Sequence, residues 1–232
     1  MFSLKTERTI YEILQILGKS LLDKTPINQL LNKSDCQNVK ERDCMLLLFK
    51  QIKRNTSEIG VKNAKTLIAD YNNAKDICTK IKSEINPKNL NLILIDPTDC
   101  SVPFELIKNL KTELNNVDFI INIATGTDFN RNIPMAFQNE ERAKKYGSFL
   151  GNDSFFTDFT NRELCKVSDF QKLRENFRIA YQNSLMKIGL KYFSLKSVNH
   201  YYDILFAAGH PQAIKFWQQA TKIEYDGQRT LF

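Results

Sequence analysis

Polar side chains that directly follow apolar runs are the residues of this sequence best placed to bind a ligand. Asp96 and Pro97 follow the run LNLILI, and Asp70 and Asn72 follow the run KTLIA. In open α/β sheets a ligand lies beyond the carboxyl ends of the strands, so these side chains would face one crevice. The rigid proline would fix the turn while the carboxylate of Asp96 projects into the crevice. An equally good role for Asp96 is to close that turn or to cap the next helix.

The segment ADYNNAK around Asp70 has two interpretations. A carboxylate or amide at Asp70 or Asn72 can form hydrogen bonds with the amine or ring edge of an adenine-containing cofactor, while Tyr71 stacks on the ring. Alternatively, Asp70 is the N-cap of the helix that follows, which is the commoner role of an aspartate at such a position. The residues alone leave both open.

A third group lies in the stretch IATGTDFNRN, predicted to be a loop after the run FIINIA. The planar guanidinium of Arg131 suits a carboxylate or a phosphate, and Asn132 lies beside it, so both are candidate substrate-binding residues. The alternative for Arg131 is a surface ion pair with a neighbouring acidic residue.

The sequence lacks the motifs of several enzyme classes. It contains no G-x-S-x-G, P-loop, H-E-x-x-H or G-x-G-x-x-G, which argues against the usual hydrolases, nucleotidases and metalloproteases. His200 and His210 are too few for a histidine-based metal site, and the five cysteines are scattered without a C-x-x-C pair. We therefore expect reduced thiols, no metal site and a structural role for His210.

Composition indicates a folded protein with one large α/β domain. Of its 232 residues, 42% are hydrophobic and 25% are charged, near the globular average. No apolar run reaches the roughly 20 residues that cross a bilayer, and the charged N-terminus is unlike a signal peptide, so we expect a cytoplasmic protein without membrane contact. The net charge of +7 admits nucleic acid as a partner, although the lysines are spread along the chain.

Apolar periodicity predicts the elements that position these side chains. Runs with the length and content of buried strands lie at residues 65–69, 90–95, 119–124 and 202–208. Helical patterns, with Pro103 in a first turn and Ser168 as a cap, cover residues 74–83, 103–114, 168–188 and 211–222. This alternation predicts βαβ units and a parallel sheet. Residues 1–60 differ, because helical spacing predicts helices at 7–17 and 43–52.

Several stretches, taken in order, resemble the three-Cys-motif partner (TcmP) family, a group of methyltransferase-like bacterial and phage-associated proteins. They are KTLIADYNNAKDI, LNLILIDPTDCSVPFELIKNL, DFIINIATGTDFNRN, and YYDILFAAGHPQAIKFWQQ with DGQRTLF. The resemblance covers residues 62–232. It implies an α/β fold, a Rossmann-like (class I methyltransferase-like) domain over residues 61–232 with a mostly parallel sheet flanked by helices. A helical or degenerate part over residues 1–60 would precede it.

The resemblance also implies a function and its site. S-adenosylmethionine (SAM) would be the cofactor, with Asp70 and Asn72 near its adenine and Asp96 with Pro97 at the site of methyl transfer. A three-Cys-motif partner protein is the implied partner, and a phage or mobile-element system is the matching context.

Two features depart from the family pattern. The acidic, glycine-containing turn of the D-x-F-A-G-x-G kind, which would hold the methionine portion of SAM, is not found, and Thr98 with Asp99 replace an aromatic residue and a glycine after the DP turn. Two functions stay open: a SAM-dependent methyltransferase, and a catalytically inactive methyltransferase-like subunit that binds a protein partner or nucleic acid. A helix in place of the first strand would leave a degenerate cofactor pocket or none, with weak SAM binding at best.

These hypotheses make geometric predictions. LNLILI should be a central parallel strand with FIINIA beside it, and YDILFAA should run antiparallel to residues 191–197 in a C-terminal pair. The candidate site residues should converge on one crevice at the strand ends. They are Asp70, Asn72, Asp96, Pro97, Thr125 and Arg131.

Overall fold

The structure, a computed structural model, describes residues 72–86, 88–97, 99–198 and 201–221. Every described residue belongs to one compact unit, Ala69–Phe232. Asp70, the predicted strand at residues 65–69 and the predicted helices at residues 7–17 and 43–52 lie outside the described residues.

The described part of the chain contains both helices and strands, with a run of helices between the second and third strands. They are α1 Ala74–Glu84, β1 Asn91–Ile95, α2 Phe104–Glu113, β2 Val117–Ile123, α3 Asn130–Ala136, α4 Glu140–Leu150, α5 Phe159–Lys166, α6 Phe170–Lys187, β3 Tyr192–Val198, β4 Tyr202–Ala208 and α7 Pro211–Ala220. A π-helical turn, Thr125–Phe129, precedes α3, and a 3-10 turn, Asp153–Phe156, follows α4. The predicted strands and helices within this part are confirmed to within about two residues at each end.

The four strands of the described ranges form one mixed sheet in the order β1-β2-β4-β3. β1 and β2 are parallel, whereas β4 runs antiparallel to both β2 and β3. Two predicted pairings are therefore confirmed: FIINIA lies beside LNLILI, and YDILFAA pairs with the strand before it. The prediction of a mostly parallel sheet is wrong for the described strands, because β4 makes both of its pairings antiparallel.

The reversal at β4 follows from the connection that precedes it. Val198 ends β3 and Tyr202 begins β4, and so short a link joins antiparallel neighbours, since a parallel crossover needs a dozen or more residues. The prediction that LNLILI is central is also not met among the described strands, where β1 forms one end of the sheet.

A layer of helices covers one face of the sheet around an aromatic core. Phe119 and Ile121 of β2 are fully buried there, together with Ile107 of α2. Phe149 of α4 and Phe177 of α6 stack with their ring centroids 6.0 Å apart. Because α2 carries the chain back from β1 to β2, the carboxyl ends of these two strands lie at the same edge of the sheet.

Helix α7 covers part of the opposite face. Its Trp217 stacks on Phe206 of β4 with ring centroids 4.8 Å apart, and Ile120 of β2 belongs to the same cluster. Leu92 of β1 also faces this side and is 39% exposed. The expected burial of β1 is therefore incomplete on this face.

The caps of three helices agree only in part with the sequence signals. Asp169, not Ser168 as predicted, caps α6 with its side chain, because Ser168 adopts a φ of 59°. Pro103 is the N-cap of α2 and so lies just before its first turn. The structural role expected for His210 is confirmed, since its Nδ1 accepts a hydrogen bond from the N–H of Gln212 and caps α7.

Candidate functional site

Asp96 lies directly beside Asn122 at the carboxyl end of the parallel pair. The register aligns Ile95 with Ile121, so the next residues, Asp96 and Asn122, stand side by side with their side chains on the same face. Nδ2 of Asn122 donates a hydrogen bond to Oδ1 of Asp96 at 2.7 Å and lies 3.5 Å from the carbonyl oxygen of Pro97. The predicted pair Asp96 and Pro97 thus shares one amide donor on the neighbouring strand.

The carboxylate of Asp96 is exposed. Among the described residues, Asn122 is its hydrogen-bond donor and no cationic side chain pairs with it. Leu94, two residues earlier, packs against the Trp217 cluster, so Asp96 lies on the side of the sheet that α7 partly covers. The site can therefore accept a ligand without the removal of a counter-ion.

The stretch after β2 is helical, whereas the sequence predicted a loop. The N–H of Phe129 bonds to the carbonyl of Ala124 at 3.0 Å, five residues back, which is the bond of a π-helical turn. Arg131 and Asn132 consequently stand in the first turn of α3. Single π-helical turns are frequent at functional sites.

Tyr201, the residue that precedes β4, holds this π-helical turn in place. The N–H groups of Gly126 and Thr127 both donate to the carbonyl oxygen of Tyr201, at 2.8 and 3.1 Å. These bonds satisfy two donors that a free helix start leaves unpaired. A short-range sequence pattern does not reveal them, because Tyr201 is far along the chain.

The two predicted substrate-binding residues have different surroundings. Arg131 is exposed and makes no hydrogen bond or ion pair within the described ranges. Nδ2 of Asn132 donates to Oδ1 of Asp128 at 2.8 Å, and its Oδ1 accepts from Nη1 of Arg142 at 3.0 Å. In the described part of the chain, no hydrogen bond joins either residue to Asp96.

Asp128 is the centre of a network that joins the turns after β1 and β2. Its Oδ2 accepts from the N–H of Cys100 at 2.9 Å and from Nζ of Lys145 at 3.2 Å, and Lys145 also donates to Asp99 at 2.9 Å. Partial burial disfavours the charge of Lys145, but its contacts with Asp99 and Asp128 outweigh this and raise its pKa above the usual value. Lys145 is thus a permanent cation between two carboxylates.

A second network surrounds Asp203, which is fully buried on β4. Its oxygens accept from Nε and Nη2 of Arg178 at 2.7 Å each, from Nη2 of Arg174 at 3.2 Å, and from the hydroxyls of Thr125 and Ser197 at 2.5 Å each. Burial opposes ionisation, but the hydrogen bonds from Arg178, Ser197 and Thr125 outweigh it and hold the pKa of Asp203 below its usual value. The network fastens α6 and the π-helical turn to the sheet.

The predicted convergence is partial. Asp96, Pro97 and Thr125 lie at the carboxyl edge of the β1 and β2 pair. Thr125, however, turns its hydroxyl to Asp203 on the face covered by the helical layer. Asn72 is exposed and precedes α1.

Sequence reasoning missed three residues that shape this edge: Asn122, Asp203 and Lys145. The first two carried a signal, because a polar side chain inside an apolar strand is retained only where it makes a specific contact. Lys145 carried no such signal, because a lysine in a helix is usually part of the exposed polar surface. Its partners, Asp99 and Asp128, are distant in the sequence.

The described ranges contain no group of three or more histidine, cysteine, aspartate or glutamate side chains that could hold a metal ion. Cys78, Cys100 and Cys165 are free, and burial raises the pKa of each thiol, which favours the weakly nucleophilic protonated form. In the same ranges, no helix has the length and apolar character to cross a membrane.

Comparisons with models of protein families, with curated proteins and with solved structures find no match to this chain. The geometry of the described residues is therefore the basis for a functional assignment. Within it, the turn of Asp96 and Pro97 combines exposure, two hydrogen-bond acceptors and a fixed orientation.

Proposed function

We propose that this chain is a methyltransferase-like protein of the three-Cys-motif partner kind, and that the Asp96–Pro97 turn is its site of methyl transfer from SAM. The observation that carries the proposal is the contact of Asn122 with both acceptor atoms of that turn. The parallel β1 and β2 pair and the antiparallel C-terminal pair are compatible with it.

The turn offers two hydrogen-bond acceptors, the exposed carboxylate of Asp96 and the carbonyl oxygen of Pro97. A methyl acceptor with an N–H or O–H group would donate to them and be held in a fixed orientation, which is most of what methyl transfer requires. Asp96 can also take up the proton that the nucleophile loses. SAM, when bound, supplies an electrophilic methyl group, so the chain needs no histidine base.

Two buried aspartates near this edge are less suited to bind a ligand. Asp128 and Asp203 are buried, and each already accepts hydrogen bonds from a cation, Lys145 or Arg178. A ligand that displaced either cation would leave a buried charge uncompensated. Asp96 carries no such penalty.

Calorimetric titration of the full chain with SAM and S-adenosylhomocysteine tests the proposal. We expect weak binding, with dissociation constants of about 100–500 μM, because the glycine-containing turn that would hold the methionine portion of SAM is not found. Asp96→Asn should keep cofactor affinity within about threefold but abolish methyl transfer, because Asp96 contacts the acceptor and not the cofactor. Asp158→Asn, at an exposed helix cap, is the matched control and should change neither. If the wild-type chain shows no detectable binding at about 1 mM SAM, the proposed methyltransferase activity is refuted.

A catalytically inactive, methyltransferase-like binding subunit is the second candidate, and the surroundings of Asn132 favour it. Its amide forms hydrogen bonds with Asp128 and Arg142. Such contacts within the protein are expected of a turn that has a structural role and binds no substrate. Such a subunit would bind a three-Cys-motif partner protein or nucleic acid without SAM, and the net charge of +7 suits the nucleic acid. Salt-dependent binding to DNA or RNA, in a chain that does not bind SAM, would support this candidate.

A further inference from the structure

Asn122 occupies a position that favours an apolar, β-branched residue. It stands between Ile121 and Ile123 in β2, both fully buried, and asparagine is among the residues depleted from strands. It pairs with Ile204 of β4 on one side and lies one residue beyond the last pair of β1 and β2, Ile95 with Ile121. Local propensity therefore gives no reason for an asparagine here.

The two ends of the Asn122 side chain are unequally satisfied. Nδ2 has two acceptors, Asp96 and Pro97, whereas Oδ1 is buried and has no hydrogen-bond partner in the described part of the chain. Turning the amide over would place Oδ1 against the oxygens of Asp96 and Pro97, which are acceptors as well. The observed orientation thus places the amide donor against the turn and leaves Oδ1 without a hydrogen-bond partner among the described residues.

Stability does not explain this arrangement. A buried acceptor without a partner destabilises the folded state. The carboxylate of Asp96 is exposed, so water can solvate it without help from Asn122. A residue that weakens the strand and supports an exposed carboxylate has the features of a functional residue, since sequences violate local rules chiefly at such sites.

We propose that Asn122 is a positioning residue: its amide fixes the carboxylate of Asp96 and the carbonyl of Pro97 side by side, so that both meet one ligand donor group. The role in methyl transfer rests on the proposed function above. The positioning itself is a property of the free chain. It acts through Asp96 and Pro97, without contact between Asn122 and the reacting atoms.

Two substitutions of nearly the same shape separate positioning from packing. Asn122→Val removes both the amide donor and the unsatisfied oxygen, whereas Asn122→Thr keeps a hydroxyl that can donate to Asp96. We expect Asn122→Val to leave Tm unchanged or raise it by up to about 3 °C. Hydrogen exchange in the peptide spanning residues 96–100 should become at least about fivefold faster in Asn122→Val and return toward the wild-type rate in Asn122→Thr.

Ile120→Val is the matched control, because Ile120 lies two residues earlier on the same face of β2. It should lower Tm by about 2–4 °C through the lost methylene and leave exchange in the turn unchanged. A fall of Tm in Asn122→Val as large as that of the control would show a packing residue and overturn the proposal. Equal exchange of the turn in the wild type and both Asn122 variants would overturn it too.

The proposed function fails separately, in the SAM titration of the wild-type chain. If SAM binds, Asn122→Val should keep the Kd for SAM within about threefold and lower kcat for a methyl acceptor more than about tenfold, with partial recovery in Asn122→Thr. If the chain does not bind SAM but the Tm and exchange results are as expected, the positioning role of Asn122 is supported and the proposed methyl transfer is refuted. An unchanged kcat in Asn122→Val would contradict the positioning role.

Discussion

Arg178 binds Asp203 through two parallel hydrogen bonds, Nε to Oδ2 and Nη2 to Oδ1, each 2.7 Å long. The carboxylate is fully buried and the arginine side chain is 22% exposed. This bidentate pair joins α6 to β4, and the hydroxyl of Thr125 brings the π-helical turn into the same contact. The shape of the carboxyl edge thus depends on one buried charge.

Removal of that charge should destabilise the protein strongly. Asp203→Asn leaves Arg174 and Arg178 without their counter-ion, so we expect the free energy of unfolding to fall by about 3–5 kcal/mol. Asp169→Asn is the control, since asparagine replaces aspartate well at a helix cap and the change should stay within about 0.5 kcal/mol. Urea denaturation measures both. A loss below about 1 kcal/mol for Asp203→Asn would contradict the assigned role.

The same carboxylate predicts a pH dependence of stability. The pKa of Asp203 is lowered in the folded chain, so its stabilising contribution is complete above its unfolded pKa, near 3.9, and is lost as pH falls through the lower folded pKa. The difference in unfolding free energy between wild type and Asp203→Asn should be constant from about pH 7 to pH 5 and shrink below about pH 4. If the difference in unfolding free energy grows as the pH falls, the prediction is contradicted.

Lys145 and its neighbour Lys144 should respond very differently to loss of charge. Lys145→Met removes the cation between Asp99 and Asp128 and should cost about 1–3 kcal/mol, because Asp128 is largely buried. Lys144 pairs with Glu140 on the exposed surface, so Lys144→Met should stay within about 0.5 kcal/mol. Equal effects in denaturant unfolding would show that the network contributes nothing.

Gly151 and Gly189 both have positive φ, 61° and 91°, but the space available for a side chain differs between them. A Cβ at Gly151 would press on the ring of Phe104, whereas one at Gly189 meets no atom within 4 Å. Gly189→Ala should cost about 1–2 kcal/mol from backbone strain alone. Gly151→Ala should cost at least about 1 kcal/mol more, because overpacking adds to the strain. The reverse order in unfolding experiments would contradict the packing described here.

Sequence patterns predicted the elements whose signals are local. The runs LNLILI, FIINIA and YDILFAA carry the length and apolar content of strands, and the antiparallel C-terminal pair was expected. The mostly parallel sheet was not borne out, because β4 follows β3 through a short link and inserts between β3 and β2. Its position in the sheet is decided by packing of distant segments.

The candidate site was predicted in part for the same reason. Asp96 and Pro97 were found because a strand end and a proline are local signals, and the structure adds Asn122 beside them. The π-helical turn was missed, since bonds to Tyr201 hold it. Local patterns do not predict the partners of Asp203, because its two arginines lie on α6, more than twenty residues away.

The affinity of the full chain for SAM is the measurement that tests the central claim most directly. If the Asp96–Pro97 turn belongs to a methyl-transfer site, calorimetry should give a Kd of about 100–500 μM, and S-adenosylhomocysteine should compete. If no heat of binding appears at about 1 mM SAM, in a chain whose unfolding is cooperative, the methyl-transfer account is contradicted.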